Sequence, residues 1–235
     1  LKKENPDFIS MQEVTWGFLN HFEDKEVNLF EKLKDSLSME GVCNFDWKVK
    51  GNVGSLGNAV FSKFPIIDYK VTVLREPKEI DFEFVESEKG FPEAPRHFID
   101  AICRVNNANV HVMSWHGAWT APPVDTNETL RQSGIVRRYV DELNSNNAPF
   151  LIGCDLNSTM DKKTVRLISE VTNNLMIGKQ IKQTTHPEIH KIAPRGFLVD
   201  YIFISKHFRS KSLHVPEIIV SDHLPVIAEL ELKES

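Results

Sequence analysis

The chain has 235 residues, 41% of them hydrophobic and 26% charged, with a formal net charge of −5. That is the balance of an ordinary globular protein long enough to bury a core; it excludes a disordered tail, a disulfide scaffold and any binding of nucleic acid through overall charge. No apolar run reaches the ~18 residues of a membrane span, and the widely spaced Cys43, Cys103 and Cys154 read as reduced thiols in a cytoplasmic setting.

In chain order, PDFISMQEV (6–14) predicts a short strand closing on Gln12 and Glu13. Val27, Phe30, Leu33 and Leu37 recur at helical spacing over 25–38. FDWKVK and NAVFSK flank the turn-rich GNVGSLG as a hairpin, and PIIDYKVTVL continues as strand. Residues 76–95 form the most polar insertion, with seven acidic residues against two lysines. RHFIDAICRV and NVHVMSWH pair across NNA. A helix is expected over 127–143 with Leu130, Val136, Val140 and Leu143 inward, and with Asp125 and Glu128 as its capping box. APFLIGCDLNS is a buried strand breaking into a polar loop, and another helix covers about 162–172. FLVDYIFIS and IIVSDHLPVIAELEL are the last strands. Many strands with interspersed helices and no linker predict a single α+β domain over 1–235, two packed sheets with helices outside.

The polar residues gather at strand ends. Glu13, His116, Asp155 with Asn157, and Asp222 with His223 each close a strand, and Asp200 sits among aliphatics, where an ionised carboxylate is costly unless paired. Carboxylate and amide oxygens in this number suit Mg²⁺ or Mn²⁺, and imidazoles beside them suit proton transfer near neutral pH. Taken singly, each has an ordinary reading as a solvated strand end, a turn cap or a rim histidine. A closed core, however, has no use for the whole set. Other signals are weaker. Cys154 lacks the arginine-closed loop of a thiol phosphatase, and His186 and His190 in HPEIH read as a surface loop. KHFRSKSLH (206–214) reads as a solvated face, while Trp115 and Trp119 flank His116 as stacking surfaces for a base, burial being the equal alternative for Trp115.

PDFISMQEV, GNAVFSKFPI, MSWHG, LIGCDLNS, LVDYIFIS and VSDHLPV resemble, in order and spacing over nearly the whole chain, the motifs of the endonuclease/exonuclease/phosphatase superfamily. The resemblance implies a four-layer α/β/β/α sandwich with mainly antiparallel sheets, and Mg²⁺- or Mn²⁺-dependent hydrolysis of a phosphoester. It implies that Glu13 and Asp222 lie beside the metal and that Asp155 and Asn157 hold the attacking water and a phosphate oxygen. His223, its tautomer fixed by Asp200, is the expected general base, and His116 stabilises developing charge. Asn58 is expected to support His116, and Arg96 to bind phosphate. Cys154 stands where the family usually has glycine. The family's opening strand, which carries an asparagine ligand, is expected to be missing upstream of the Gln-Glu motif. The expected substrate is a phosphodiester in nucleic acid, handled by a monomer. A lipid or small phosphorylated molecule is the alternative, as is a non-catalytic binding module. His116, where abasic-site enzymes usually carry tyrosine, points away from that branch, and the acidic insertion points away from a membrane substrate.

Overall fold

In the segment Phe150–Asp155 (β8), successive side chains face opposite ways, as in any strand. Phe150, Ile152 and Cys154 join a buried cluster with Val136, Val140 and Leu143 of the helix Asn127–Ser145 (α2) and with Val165 and Ile168 of the helix Lys163–Ser169 (α3). Leu151 joins a second cluster instead. The same division runs through the neighbouring strands. In Arg96–Val105 (β6), Phe98 faces the helices and Ile99, Ala101 and Cys103 face away. In Ala108–His116 (β7) it is Met113 and Trp115 against Val110 and Val112, and in Asp200–Ile204 (β10) Tyr201 and Phe203 against Ile204. These strands are apolar on both faces because both are covered, by helices on one side and a second sheet on the other.

The computed structural model describes residues 1–16, 28–49, 55–80, 93–190 and 196–233. Its larger sheet runs β4 (Ile66–Arg75), β6, β7, β8, β10 and β9 (Asn173–Asn174). The smaller runs β1 (Phe8–Trp16), β3 (Ser55–Ser62), β2 (Glu40–Val49) and β5 (Lys78–Ile80). A hairpin of β11 (Phe208–His214) and β12 (Ile227–Leu232) stands apart. Pairing is antiparallel except between β7 and β8 and between β2 and β5. The helix α1 (Leu29–Leu37) covers the outside of the smaller sheet, burying Phe30 against Val14, Ala59 and Phe61. The result is the expected α/β/β/α order.

The sheets meet where β1 lies across β7 and β8. Ser10 donates to the Met113 carbonyl at 2.9 Å, Gln12 donates to Ser114 at 2.9 Å, and Ser114 donates to the Met11 carbonyl at 2.8 Å. A Cβ on Gly153 would fall 2.6 Å from the Ser10 Cβ, so glycine at that position is what permits the approach. Cys154 points the other way, into the helix-side core, with its Sγ 3.7 Å from the Tyr201 carbonyl. The change from glycine at that position is thus absorbed by the core.

Several expectations change. The first helix begins at Leu29, capped by the Asn28 side chain; residues 25–27, the hairpin turn 50–54 and 81–92 of the acidic insertion lie outside the described residues. Asp125 and Glu128 do not form the capping box of α2; Thr126 and Thr129 do. Asp125 instead accepts the N–H groups of Lys163 and Thr164, each at 2.9 Å, at the start of α3. The segment 217–221 is no strand: Ile218, Ile219 and Val220 are exposed and the strand begins at Ile227. The basic run on β11 meets acids across its hairpin, Arg209 with Glu231 and Lys211 with Glu229. All three cysteines are free, and among the described residues no helix is long and apolar enough to cross a membrane.

Glu128 has a different task. Its carboxylate accepts from Arg131 at 2.8 Å and from Gln132 at 2.7 Å, and it pairs with Arg75 at 3.0 Å, tying α2 to the end of β4. The Arg131 hydrogen bond, more than any other contact, pulls its pKa down to about 2. A depressed carboxylate stabilises the fold above its unfolded pKa near 4.5 and loses that contribution as pH falls toward 2. Solvent screens the cluster, so Glu128→Gln is expected to cost no more than about 1 kcal/mol at pH 7. Thermal melts of wild type and variant should converge between pH 4 and roughly 2.

Candidate active site

The larger sheet sets one row of side chains at its mouth. In the ladders His116 pairs with Asp155, and Asp155 with Asp200. Registered partners project to the same face, here the face toward the smaller sheet. Asp155 is central. Its Oδ2 lies 3.6 Å from His116 Nε2 and 3.9 Å from His223 Nε2, and its Oδ1 accepts the Asn157 N–H at 2.8 Å. Asn157 makes that turn at φ 50°, a left-handed conformation that asparagine tolerates, and its side chain reaches the Gly117 carbonyl at 3.3 Å. Behind His223, the two Asp200 oxygens lie 2.9 and 3.2 Å from Nδ1. Asp200 is itself held in place, because Thr184 Oγ1 accepts the N–H groups of Val199 and Asp200 at 3.0 and 3.1 Å.

The smaller sheet adds two carboxylates by bulging twice at one level. Between Met11 and Val14 the β1–β3 register slips and Glu13 takes φ 53°; between Phe45 and Trp47 the β2–β3 register slips at Asp46. Val14 and Phe45 both register on Gly57, where a Cβ would fall 2.0 Å from the Asn44 carbonyl. Bulges of this kind re-aim a side chain. Glu13 and Asp46 line a depression with Leu56, Gly57, Arg96 and His116. Asp46 also holds His97 Nδ1 at 2.5 Å.

The charges are crowded. Burial pushes the Asp155 carboxyl up from 3.8, and the Asp200 charge pushes it further. The surrounding protein raises Glu13 as well, against the pull of Arg96 and His223; solvent reaches this carboxylate, which tempers the push. Burial alone would lower His223, but Asp200, Asp155 and Asp222 outweigh it and carry its pKa to about 10. His116 moves the opposite way, held well below 6.5 by burial and by Arg96. The site thus sets one charge-prone imidazole against one neutral one across a single carboxylate.

Not every expected residue behaves alike. Glu13, His116, Asp155, Asn157, Asp200 and His223 lie around one cleft, with Asp222 on its exposed rim. Asn58 is buried and donates to the His97 carbonyl at 2.9 Å, while its Oδ1 has no partner among the described residues. Arg96 is buried too, and donates to the carbonyls of Gly117 and Pro95 at 2.9 Å each. Trp115 belongs to the core. Two residues of the cleft, Asp46 and His190, are not among those the sequence assigns to it, whereas Trp119 is one it offers as a stacking surface. Asp46 arrives by a bulge that only strand pairing reveals. His190 lies beside His223 with ring centroids 5.4 Å apart and the rings tilted by 56°, and Trp119 lines the depression that contains both.

Clustered carboxylates with raised pKa values fit a divalent cation, which would relieve their mutual repulsion. Among the described residues, two groups bring donor atoms within 4.8 Å of one another: His190, Asp222 and His223, and Asp155, Asp200 and His223. Glu13 belongs to neither, although the Asp222 charge adds to the push on its carboxyl. Mg²⁺ keeps several waters and needs only one or two carboxylates, so a set this open still suits it.

A model of the Endonuclease/Exonuclease/phosphatase family matches residues 1–223. Among solved structures, an endonuclease/exonuclease/phosphatase from Bacteroides vulgatus is similar at 18% identity and TM-score 0.74, covering 99% of this chain and 87% of its own. The human Nocturnin catalytic domain with bound sulfate is similar at 15% identity and TM-score 0.67, covering 97% and 82%. A mannosyl-6-phosphatase from Bacteroides thetaiotaomicron is similar at 16% identity and TM-score 0.66, covering 98% and 87%. Among curated proteins no sequence matches it.

Proposed function

Since this chain belongs to the endonuclease/exonuclease/phosphatase family, we propose that it is a divalent-metal-dependent hydrolase that cleaves a phosphoester by in-line attack of water. The carrying observation is Asp155, whose one oxygen faces the Nε2 atoms of both His116 and His223 while Asn157 fixes the other. A phosphoryl group set at this point meets donors from both histidines and from the Asn157 amide. The flanking carboxylates of Asp200 and Asp155 favour the imidazolium of His223, so we assign it to the phosphoryl oxygens as a charged donor rather than, as the sequence reading had it, to the water as a base. The base role then passes to Asp155, whose raised pKa makes it a better proton acceptor than an ordinary aspartate. Water gives its proton to Asp155 as its oxygen bonds to phosphorus; the P–O bond opposite breaks and the leaving oxygen takes a proton from solvent. Glu13 and Asp222 would hold the metal ion, which when bound supplies Lewis-acid charge to the phosphoryl and leaving oxygens.

A nucleic-acid phosphodiester heads the list of substrates. A small phosphorylated molecule is the second reading, favoured by a cleft lined with Glu13, Asp46, Asp155, Asp200 and Asp222, where a polyanion meets like charge. The test is hydrolysis of single- and double-stranded DNA, RNA, a dinucleoside phosphate and sugar phosphates. Turnover of at least one is expected in Mg²⁺ or Mn²⁺, and its disappearance in chelator. Full activity in chelator would overturn the metal-dependent mechanism.

A further inference from the structure

The strand β4 forms one edge of the larger sheet, and among the described residues only β6 pairs with it. The Tyr69 N–H donates to the carboxylate of Asp68 beside it at 2.8 Å, so Tyr69 turns its peptide groups away from β6. Alternation along an antiparallel strand turns those of Val71 and Val73 the same way. The side chains divide by face as well. Tyr69 registers on Ala101 and Val71 on Ile99, both members of the inter-sheet cluster, whereas Lys70 registers on Asp100 and lies over the Tyr139 ring of α2. Val71 packs into that cluster, yet Tyr69 and Val73 on the same face are 52% and 42% exposed. Ile67, the extra residue of a bulge, is 48% exposed. An open backbone edge thus runs beside a row of uncovered apolar side chains.

Such an edge is a template for another strand, and charged side chains usually guard it. Here the guards, Asp68 and Lys70, are placed symmetrically about Tyr69. That symmetry selects a partner. If a second copy of β4 pairs antiparallel about a two-fold axis, outward-facing peptides must meet outward-facing peptides, so the axis passes through a residue and not between two. An axis at residue 68 sets Asp68 against its own copy, and one at residue 70 does the same to Lys70; like charges directly opposite are destabilising. An axis at residue 71 sets Asp68 opposite Leu74, whose carbonyl already accepts from Arg131. With the axis at Tyr69, Asp68 lies opposite Lys70 of the second copy on both sides. This register alone opposes unlike charges throughout.

We propose that β4 is the interface of a homodimer in which two copies pair antiparallel across Tyr69 and join their larger sheets into one. Each Tyr69 exchanges both backbone hydrogen bonds with its counterpart, which releases the Asp68 carboxylate to meet Lys70 of the second copy. The two tyrosines face each other on the apolar side, where aromatic cross-strand pairs add stability. Ile67 comes opposite Val71, and Pro65, which has no N–H, comes opposite Val73 and ends the ladder. None of the residues lining the catalytic cleft lies on β4, so the pairing leaves that cleft open. A ladder this short suits weak self-association rather than a permanent dimer, in place of the monomer expected from the sequence.

Sedimentation velocity on the full chain, from micromolar to near-millimolar concentration, tests this. Wild type is expected to pass from monomer to dimer across that range. Asp68→Lys makes the edge wholly basic and Lys70→Asp wholly acidic, so either substitution alone is expected to weaken the dimer by roughly 10-fold or more. An equimolar mixture of the two variants is expected to recover it, because every basic position then faces an acidic one. Both side chains are exposed, and thermal melts check that each variant folds. Should either not fold, Tyr69→Cys takes their place. Residues exchanging both hydrogen bonds have Cα atoms about 5.5 Å apart, within disulfide reach, so mild oxidation is expected to link this variant into a dimer and to leave wild type unlinked. Wild type that stays monomeric throughout, a dimer indifferent to both charge substitutions, folded variants whose mixture does not associate, or a Tyr69→Cys chain that does not cross-link would overturn the proposal.

Discussion

His223→Ala is expected to lower kcat on the preferred phosphoester by about 10²–10³-fold, the scale seen when a preorganised donor to a developing oxyanion is removed. Asp200→Asn should reproduce a large part of that loss. Its oxygens hold Nδ1 at 2.9 and 3.2 Å, and an amide there stabilises the imidazolium less and fixes the tautomer poorly. Little else should move, because the Asp200 N–H stays bonded to Thr184 Oγ1. The double variant should be scarcely worse than His223→Ala alone, since both residues serve one charge. A purely structural pair would behave differently, its turnover tracking the folded fraction as the melting temperature fell. Folded variants with wild-type turnover would remove both residues from the mechanism.

What the sequence disclosed depended on how far apart the interacting parts lie in the chain. Strand ends are legible locally, and they placed His116 and Asp155 at strand mouths while Asp200 stood out as a carboxylate among aliphatics. The alternation that puts Val110, Val112 and Leu151 in the inter-sheet cluster puts His116 and Asp155 on that same face a few residues on. Asp46 was invisible because its inward turn arises from a register slip between two strands, which FDWKVK does not encode locally. His190 was set aside as a surface loop because nothing near HPEIH hints at the backbone bonds that clamp residues 184–186 to 222–224. IIVSD reads as a buried strand by composition, yet its apolar side chains face solvent; β-propensity describes fit to a sheet surface, and here no strand is offered to it. Asp125 shows the same limit. A carboxylate near the start of one helix was assigned to that helix, whereas the tertiary fold lends it to another.

Asp155→Asn is expected to separate activity from stability. If Asp155 accepts the proton of the attacking water, its amide cannot, and kcat should fall about 10³-fold or more, within or above the usual range for general bases. The substitution nearly preserves shape, and the amide oxygen can still accept the Asn157 N–H. Its effect on folding should have the opposite sign. The folded-state pKa of Asp155 is raised above 3.8 by burial and by the Asp200 charge, so the folded protein binds the proton more tightly than the unfolded chain does. Stability is then fully present below pH 3.8 and falls as pH rises through the folded pKa, because an ionised Asp155 must be carried in a buried, negatively charged site. The variant carries no such charge. Melted in chelator, so that no cation offsets the repulsion, it should match wild type near pH 4 and exceed it at pH 8, each 1 kcal/mol appearing as about 2–4 °C for a chain of this size. A variant that loses activity and also melts lower at pH 8 would mean that Asp155 is held by its histidine and Asn157 contacts as a structural element, and the base would have to be sought elsewhere in the cleft.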